Sequence, residues 1–489
     1  MKYYIDIGLE VHAELLTHSK MFCSCAVVDS TQAEPNTSVC PVCAGMPGVL
    51  PVVNQQAVEL AMRVGLALGC QIAPTSLFAR KNYFYPDLPK GYQISQFEYP
   101  LAEHGVLVVT TSQGERTIRV HRAHLEEDAG KLTHVTKDGH SYSLVDLNRA
   151  GVPLLEIVSE PDMHSVEDAR AYAMGLHSLI RTLKACSGDM EKGVMRFEAN
   201  VSMRRSEKDE LGTRVEIKNL NSFKSMERAI QFELERQQAI LESGGKVSQE
   251  TVGWDDAKGA TFLMRSKEEA HDYRYFPEPD LPPLVVEKEW VDRVRSELPE
   301  LPFARAKRLE MQYHIKVEDA RQLVADYEAA DYFEQCAAAA KDLPAQTVAN
   351  WVTGELGSWM NQSGEGLDQL KVKPEGLAEL LVSLQAGKIN QNTAKSILID
   401  MLQSGQNANA IIKAKGLEQV SDSNFIANLV KQALAESPDE VASYLKGKET
   451  LENWFFGQVM KAAQGKANPG VVRAELHQQL TVLKSAGGK

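Results

Sequence analysis

The chain has 489 residues and a formal net charge of −13, with 43% hydrophobic and 24% charged residues. This is the composition of a soluble globular protein of roughly two to four domains. No apolar run approaches the ~18 residues of a membrane-spanning helix, which argues against an integral membrane protein. The acidic balance excludes indiscriminate coating of nucleic acid but permits binding through a local basic surface. The first residues show neither a signal-peptide nor a transit-peptide pattern, so the cytoplasm is the expected compartment.

Three segments in the first ~290 residues alternate between apolar and polar side chains. They are 7–15, 195–202 and 214–218. A period of two predicts strands of an antiparallel sheet with one buried and one solvated face. For any single strand, a plain solvated face is the simpler interpretation. The polar positions of all three, however, carry Glu, His, Arg or Asn, which favours a functional surface.

Four cysteines lie within 21 residues, as Cys23, Cys25, Cys40 and Cys43. Stable disulfides are not expected in the cytoplasm, so the cluster indicates metal ligands. Four thiolates are the usual ligands of a structural zinc ion and leave no open position for catalysis. Four free thiols in a loop are the alternative.

Acidic side chains and a histidine mark candidate sites on the strands. Glu10 and His12 share the polar face of the first strand, and Glu126 and Glu127 follow a strand expected over 117–125. If the alternation continues, these two glutamates point to opposite faces, and at most one of them joins a given site.

Glu156 lies inside the apolar run 153–158. A carboxylate in such surroundings requires a compensating cation or metal ion. Converging carboxylates and an imidazole suit Mg²⁺ or Mn²⁺, which often bridge to phosphate. An equally good alternative from spacing alone is a set of ion pairs with three nearby arginines, Arg122, Arg149 and Arg196.

The segment 81–93 combines aromatic residues, prolines and lysines and is expected to be neither helical nor a regular strand. Its lysines and rings suit a nucleotide or a splayed adenosine. A segment of similar composition occurs at 271–279. Rigid loops pinned by their aromatics are the alternative. The chain contains no Walker A, GxGxxG or GxSxG motif, so any phosphate site is non-standard.

From about residue 295 the periodicity becomes helical. The predicted fold class is therefore α+β, with an antiparallel-sheet cradle domain followed by an all-helical domain and a helical tail. The expected boundaries are 1–294, 295–405 and 406–489, with a hinge at 404–409. One apolar stripe is expected on a helix that contains Ala394, Ile397, Leu398, Met401 and Leu402. Asn468 and Pro469 predict the start of the last helix, whose apolar face would comprise Val472, Leu476, Leu480 and Leu483.

Residues 445–489 carry seven Lys or Arg and three Glu, a balance of +4 in a chain of −13. Such an asymmetry is typical of a nucleic-acid contact, although a merely solvated helical surface gives it too.

The block 144–162, LVDLNRAGVPLLEIVSEPD, resembles the signature of the B subunit of the bacterial aspartyl/glutamyl-tRNA(Asn/Gln) amidotransferase, the GatB family. Further blocks are similar in the same order: 8–12, 81–96, 124–131, 193–202, 215–223 and 271–283, with 454–461 and 465–469 in the tail. The resemblance spans the chain and includes the cysteine loop, which only some members carry.

The resemblance implies a component of an ATP-dependent carbon–nitrogen ligase. It implies that the chain binds misacylated Glu-tRNA(Gln) or Asp-tRNA(Asn), phosphorylates the side-chain carboxylate with ATP, and receives ammonia from an amidase A subunit tied to it by a small C subunit. The implied catalytic residues are Glu10, His12, Glu126, Glu127 and Glu156. His12, Glu126 and Glu156 are the expected Mg²⁺ ligands. Nucleotide or 3′-end binding is expected at Lys81, Tyr83, Tyr85 and Lys90. Glu126 or Glu127 is expected to line the exit of an ammonia path.

Two other functions remain open from the sequence. One is a zinc-stabilised RNA-binding or scaffold protein without a catalytic site, and the other is a stand-alone ATP-dependent ligase. Which of the two misacylated tRNAs is used does not follow from the residues.

Overall fold

A computed structural model describes residues 3–266, 273–417, 423–463 and 467–486. It divides into two compact units, Met1–Arg305 with Ala325–Tyr327, and Ala306–Val324 with Glu328–Lys489. The strands are β1 (Tyr4–Glu14), β2 (Gln71–Ile72), β3 (Thr75–Ser76), β4 (Phe78–Asn82), β5 (Tyr92–Gln96), β6 (Ala102–Thr111), β7 (Gly114–Glu127), β8 (Lys131–Lys137), β9 (His140–Asp146), β10 (Pro153–Ser159), β11 (Met195–Arg204), β12 (Val215–Leu220), β13 (Glu250–Asp255), β14 (Ala260–Ser266), β15 (Phe276–Pro277) and β16 (Leu284–Val285).

The helices begin with α1 (Gln55–Ala67), α2 (Val166–Thr182), α3 (Phe223–Glu242) and α4 (Lys288–Ser296). Those that follow are α5 (Pro302–Tyr313), α6 (Val317–Val324), α7 (Tyr327–Ala339), α8 (Ala345–Asn350), α9 (Gly357–Ser363), α10 (Pro374–Gln385), α11 (Gln391–Ser404), α12 (Ala408–Lys415), α13 (Ser423–Ala435), α14 (Pro438–Leu445), α15 (Leu451–Ala462) and α16 (Pro469–Ala486). A π-helix at Trp351–Leu356 joins α8 to α9, and a 3₁₀ turn spans Leu367–Gln369. The predicted α+β class is confirmed.

In the described part of the first unit, twelve strands form one mixed sheet. Ten of them follow the order β14-β13-β12-β11-β1-β10-β7-β5-β4-β15, while β6 pairs with β7 and β2 with β6. Among the pairs described, β12–β13 is parallel and the others are antiparallel. The expectation of an antiparallel sheet therefore holds with one exception.

The alternation read from the sequence determines which face of the sheet is buried. The apolar set of each predicted strand lies in the core: Ile7, Leu9, Val11 and Ala13 in β1, Met195, Phe197, Ala199 and Val201 in β11, and Val215 and Ile217 in β12. Helices α1, α2 and α3 contribute to the same core. Side-chain oxygens of Asn54, Ser165 and Ser222 cap their N-termini. The opposite, polar face of β1, β10, β7 and β11 remains free to hold a site.

The second unit is helical and contains two separate apolar clusters. One comprises buried residues from Leu309 to Ile412, and the other from Ile426 to Leu480. The predicted stripe on α11 is confirmed, since all five residues are buried. Asn468 Oδ1 accepts hydrogen bonds from the first backbone amides of α16, as predicted. Of its expected apolar face, Leu483 is 37% exposed and does not join the cluster.

One expectation about a segment needs correction. Residues 81–93 are partly regular, because β4 ends at Asn82 and β5 begins at Tyr92, with 83–91 as the connection. At 404–409 the chain does leave the helix, with Gly405 in the left-handed region (φ +75°) and Asn407 capping α12. However, α12 packs in the same cluster as α10 and α11. The domain boundaries and the hinge stay predictions. Gly465, Lys466, Lys489 and His271 lie outside the described residues.

Within the described ranges, no helix combines the length and the apolar character that crossing a membrane would require.

Candidate active site and metal centres

His12, Glu126 and Glu156 converge on the polar face of the sheet. Register places His12 of β1 opposite Glu156 of β10, and Glu156 opposite His124 of β7. His12 Nε2 lies 3.4 Å from a Glu156 oxygen and 3.7 Å from Glu126 Oε1, and His124 Nε2 lies 3.4 Å from the same Glu156 oxygen. All four side chains are largely buried. The sequence-predicted ligand triad is thus brought together, with His124 as an additional member.

The histidines and carboxylates of this cluster stabilise each other's charged forms. Burial alone would raise the pKa of the Glu156 carboxyl, but His124 and His12 hold it well below its usual range. Burial alone would lower the pKa of His12, yet its hydrogen bond to Glu156 and the surrounding carboxylates raise it to about 9. Glu126 Oε2 is buried without a hydrogen-bond partner among the described residues. One nitrogen and two carboxylate donors, one with an unused buried oxygen, fit a divalent cation.

Glu10 belongs to a second acidic cluster on the same face. Its carboxylate lies within ligand-sharing distance of Glu198 on β11 and Glu216 on β12, and it accepts a hydrogen bond of 2.8 Å from Asn200. Burial, followed by Glu156 and Glu198, raises the pKa of Glu10. The Lys218 ammonium lies 2.6 Å from Glu198 and 3.1 Å from Glu216. Two carboxylate clusters therefore lie side by side, one held by histidines and one by a lysine.

Lys81 and Tyr83 lie next to the His12 cluster. Burial opposes the charge of Lys81, but Glu126 leads the groups that raise its pKa above the usual range. Its ammonium is 5.1 Å from the centre of the Tyr273 ring. Burial raises the pKa of Tyr83, whose hydroxyl donates to Gln93 at 3.3 Å. These two residues are placed where a phosphate or a ribose beside the carboxylates can be contacted.

Glu127 and Lys90 lie on the other side of the sheet from this cluster. The predicted divergence of Glu126 and Glu127 is observed, because Glu127 forms a buried ion pair with Lys90 and accepts from the Ile94 amide at 3.0 Å. A cavity between this pair and the cysteine loop is lined by residues of both. Lys90 is therefore separated from Lys81, with which the sequence had grouped it. Tyr85 is exposed.

The sulfur atoms of Cys23, Cys25, Cys40 and Cys43 lie within 4.8 Å of one another. Cys43 is 3.8 Å from Cys40 and 4.0 Å from Cys25. Zn–S bonds of ~2.3 Å in a tetrahedron require sulfur separations of about 3.8 Å. The hydrogen bond from Cys23, followed by the Cys40 amide, lowers the pKa of Cys43 to about 4 against the effect of burial. The donor set and its spacing fit a structural zinc ion.

Lys20, which sequence reasoning missed, lies under this loop. It is fully buried, and its Nζ lies 3.6 Å from Cys43 Sγ while donating to the Ser38 and Leu147 carbonyls at 2.8 and 3.2 Å. Gly151 packs against the same side chains in the left-handed region (φ +86°), where a Cβ atom would lie 3.5 Å from Lys20 Cδ. A lone lysine beside an apolar pair, Met21 and Phe22, gives no sequence signal of such a role.

The arginine alternative is not what the structure shows. Arg196 binds Asp128 through two hydrogen bonds of 3.0 and 3.2 Å, and Arg149 lies 3.7 Å from the same carboxylate. Arg122 donates to the Phe97 carbonyl at 3.3 Å. Histidines rather than these arginines compensate Glu156.

The chain matches two family models and full-length relatives. Residues 5–292 match the family model described as the GatB/GatE catalytic domain, and residues 331–480 match the one described as the GatB domain. The B subunit of the aspartyl/glutamyl-tRNA(Asn/Gln) amidotransferase of Moorella thermoacetica is 49% identical over 480 residues, which cover 98% of this chain and all of the relative. The protein of the same name from Myxococcus xanthus is 50% identical over 474 residues, covering 97% of this chain and 98% of the relative.

The residues that match a catalytic-domain model, 5–292, include both carboxylate clusters and the four cysteines. The family matches and the full-length relatives show that the chain belongs to the GatB family, as the resemblance of its motifs predicted.

Proposed function

We propose that this chain is the component of a multi-subunit amidotransferase that activates the side-chain carboxylate of misacylated Glu-tRNA(Gln) or Asp-tRNA(Asn) with ATP and converts it to the amide. The observation that carries the proposal is the convergence of His12, Glu126 and Glu156, with a buried Glu126 oxygen that lacks a partner among the described residues. Full-length relatives at about 49% identity are named as parts of an aspartyl/glutamyl-tRNA(Asn/Gln) amidotransferase.

Magnesium is the ion that the His12 cluster suits, with His12, Glu126 and Glu156 as its ligands. Bound there, it would neutralise phosphate charge during phosphoryl transfer. Glu10, with Glu198 and Glu216, offers a second set of hard oxygen ligands beside it. Zinc is assigned to the four cysteines as a structural ion. ATP is the phosphoryl donor that the reaction requires.

The residues have distinct tasks in the reaction. A carboxylate oxygen of the substrate attacks the γ-phosphorus of ATP, a P–O bond forms, and ADP leaves. Ammonia then attacks the acyl carbon, phosphate leaves with its C–O bond broken, and the nitrogen loses a proton. Lys81 supplies a fixed positive charge beside the carboxylate cluster, and Tyr83 lies close enough to orient the substrate. Burial of these groups strengthens their electrostatic effect and limits hydrolysis of the acyl phosphate.

Ammonia must reach the acyl phosphate unprotonated, so the proposal includes an amidase A subunit and a small C subunit as partners. The cavity on the opposite side of the sheet, with the Lys90–Glu127 ion pair in its wall, supports Glu127 as the residue that lines the incoming path. Glu126 belongs to the metal cluster. The cytoplasm, where tRNA is charged, is the proposed compartment.

The test is amidation of misacylated tRNA by the assembled complex, with ADP release and amide formation measured separately. We expect Glu156→Gln to abolish both while glutamine hydrolysis continues, because the phosphoryl-transfer site is lost. Glu160→Gln removes a partly exposed carboxylate, paired with His121 just after the same strand, and is the matched control. If the wild-type complex releases no ADP with either misacylated tRNA, the result would instead support an RNA-binding scaffold.

A further inference from the structure

One stretch of the signature block 144–162 has no task in the proposed reaction. It comprises residues 145–151, which run from the last residues of β9 to just before β10. One side of this stretch is bonded to the cysteine loop, and the other side is bonded to the chain that follows β7. We call residues 145–151 the link segment.

Asn36 of the cysteine loop forms the first connection to the link segment. Its Nδ2 donates to the Val145 carbonyl at 3.0 Å, and its Oδ1 accepts from the Leu147 amide at 2.8 Å. The Asn36 backbone amide also donates to a carboxylate oxygen of Asp146 at 3.0 Å. A single loop residue therefore holds three consecutive residues of the link segment.

Asn148 makes the reverse connection from within the link segment. Its side chain is fully buried, with Oδ1 accepting from the Ser38 amide at 2.8 Å and Nδ2 donating to the Glu34 carbonyl at 2.7 Å. The two asparagines thus join the loop and the link segment by four side-chain hydrogen bonds. Residues 34–38 lie between the two cysteine pairs, so a zinc ion that fixes the loop also fixes the link segment.

The other side of the link segment holds the residues that directly follow β7. The Arg149 guanidinium donates to the carbonyls of Ala129 and Gly130 at 3.0 and 2.7 Å. The Gly151 amide donates to the Asp128 carbonyl at 2.9 Å. The position of the cysteine loop is therefore transmitted, through the link segment, to the end of β7.

This series of contacts ends at the wall of a cavity. Glu127 is the last residue of β7, and it lines the cavity together with Gly151, Lys90 and two of the cysteines. The His12 cluster lies on the opposite face of the sheet, where the register of β1, β10 and β7 fixes its side chains. A change in the cysteine loop should therefore affect the cavity more than the His12 cluster.

We propose that the zinc-bound loop, acting through Asn36 and Asn148, positions Glu127 for the entry of ammonia and thereby couples ATP use to amide formation. This inference rests on the proposed function, which places Glu127 in the ammonia path. Asn36 and Asn148 are positioning residues, because they act through the link segment.

Without these hydrogen bonds the acyl phosphate still forms at the His12 cluster, but ammonia no longer reaches it efficiently. Water then attacks the acyl carbon in place of ammonia. A new C–O bond forms, the bond to the phosphate oxygen breaks, and phosphate and protons are released. The original carboxylate is restored, so ATP is consumed and no amide is made.

The experiment compares Asn36→Gly with wild type in the assembled complex, supplied with misacylated tRNA, ATP and glutamine. Asn36 has a φ of +61°, which glycine adopts without strain, so the variant loses the side-chain hydrogen bonds and keeps its backbone conformation. We expect amide formed per ADP released to fall several-fold, while ADP release and zinc content stay at the wild-type level. Asp138→Gly changes another left-handed residue (φ +53°), in the turn between β8 and β9, and is the matched control.

Hydrogen–deuterium exchange on the full chain measures the coupling without turnover. Loss of two hydrogen bonds in Asn36→Gly should speed amide exchange in the link segment by about 5- to 150-fold. Removal of zinc with a chelator should speed exchange there and at the end of β7.

An amide-to-ADP ratio in Asn36→Gly equal to that of wild type would overturn the inference. So would a loss of ADP release in proportion to amide, or exchange in the link segment that is identical in the two proteins. If the exchange effect is present but the wild-type complex neither releases ADP nor forms amide, the proposed function fails, whereas the coupling of the loop to the link segment stands.

Discussion

Replacement of Lys20 by Met is expected to weaken zinc binding by roughly 10- to 100-fold, the range seen when a group just outside the ligand sphere is removed. Four thiolates around Zn²⁺ leave a net charge of −2, and Cys43 is the buried one of the four while the other three are partly exposed. The fully buried ammonium of Lys20, 3.6 Å from Cys43 Sγ, compensates part of that charge.

The size of the effect follows from the geometry. At 3.6 Å and an effective dielectric constant of ~20, one pair of opposite charges attracts by about 5 kcal/mol. Desolvation of the ammonium offsets most of this attraction. The change to Met also leaves the Ser38 and Leu147 carbonyls without their donor, which adds to the loss in the same direction.

Zinc affinity is measured by competition with a chromophoric chelator on the purified full chain. Lys192→Met is the control, because it removes an exposed lysine that pairs with Asp29 of the same loop. A Cys40→Ser/Cys43→Ser double variant should retain no zinc, and Lys20→Arg should retain most of the affinity. Equal zinc affinity in Lys20→Met and Lys192→Met would refute the reasoning.

Three further outcomes are expected. Lys90→Met or Glu127→Gln alone should lower the free energy of unfolding, measured by urea denaturation, by ~3–5 kcal/mol, because each leaves a buried charge unpaired. The double variant should recover most of that lost free energy. Losses that simply add in the double variant would contradict this. In metal-free protein, the pKa of His12 is raised from 6.5 to about 9. Protonated His12 therefore stabilises the fold fully below pH 6.5, and about 3 kcal/mol of the free energy of unfolding is lost as the pH rises to 9. A thermal-shift pH profile that is identical in wild type and His12→Gln would disprove this. Removal of residues from 418 onward, which follow α12, should raise KM for tRNA and flatten the salt dependence of tRNA binding. Glutamine hydrolysis and assembly with the A and C subunits should persist. An unchanged salt slope would mean that the tail is a solvated surface without a tRNA contact.

Period-two alternation was sufficient to place the polar faces of β1 and β11, because one face of each strand is packed in the core. The same rule separated Glu126 from Glu127. The cysteine spacing was sufficient to predict a four-sulfur cluster, since its ligands lie close together in the chain. In each case the information is local or periodic.

The rest depended on contacts between distant segments. His124 joins the cluster only because β7 lies beside β10 in one register, and a single histidine gives no hint of that neighbour. Tyr275 and Phe97 stack across 178 residues of chain. Lys90 is separated from Lys81 because it lies in the connection between β4 and β5 and pairs with Glu127. Pairing of this kind requires the tertiary fold.

Glu126 and Glu127 are adjacent in the chain but belong to two different surfaces of one sheet. Side chains alternate between the two faces along a strand, so the face that each glutamate occupies depends on the number of residues before it and not on which residues they are. A single residue inserted in β7 ahead of them would turn Glu126 toward Lys90 and Glu127 toward His12. A substitution in this strand changes one side chain on one face. An insertion or deletion of one residue would move every following side chain to the opposite face at once.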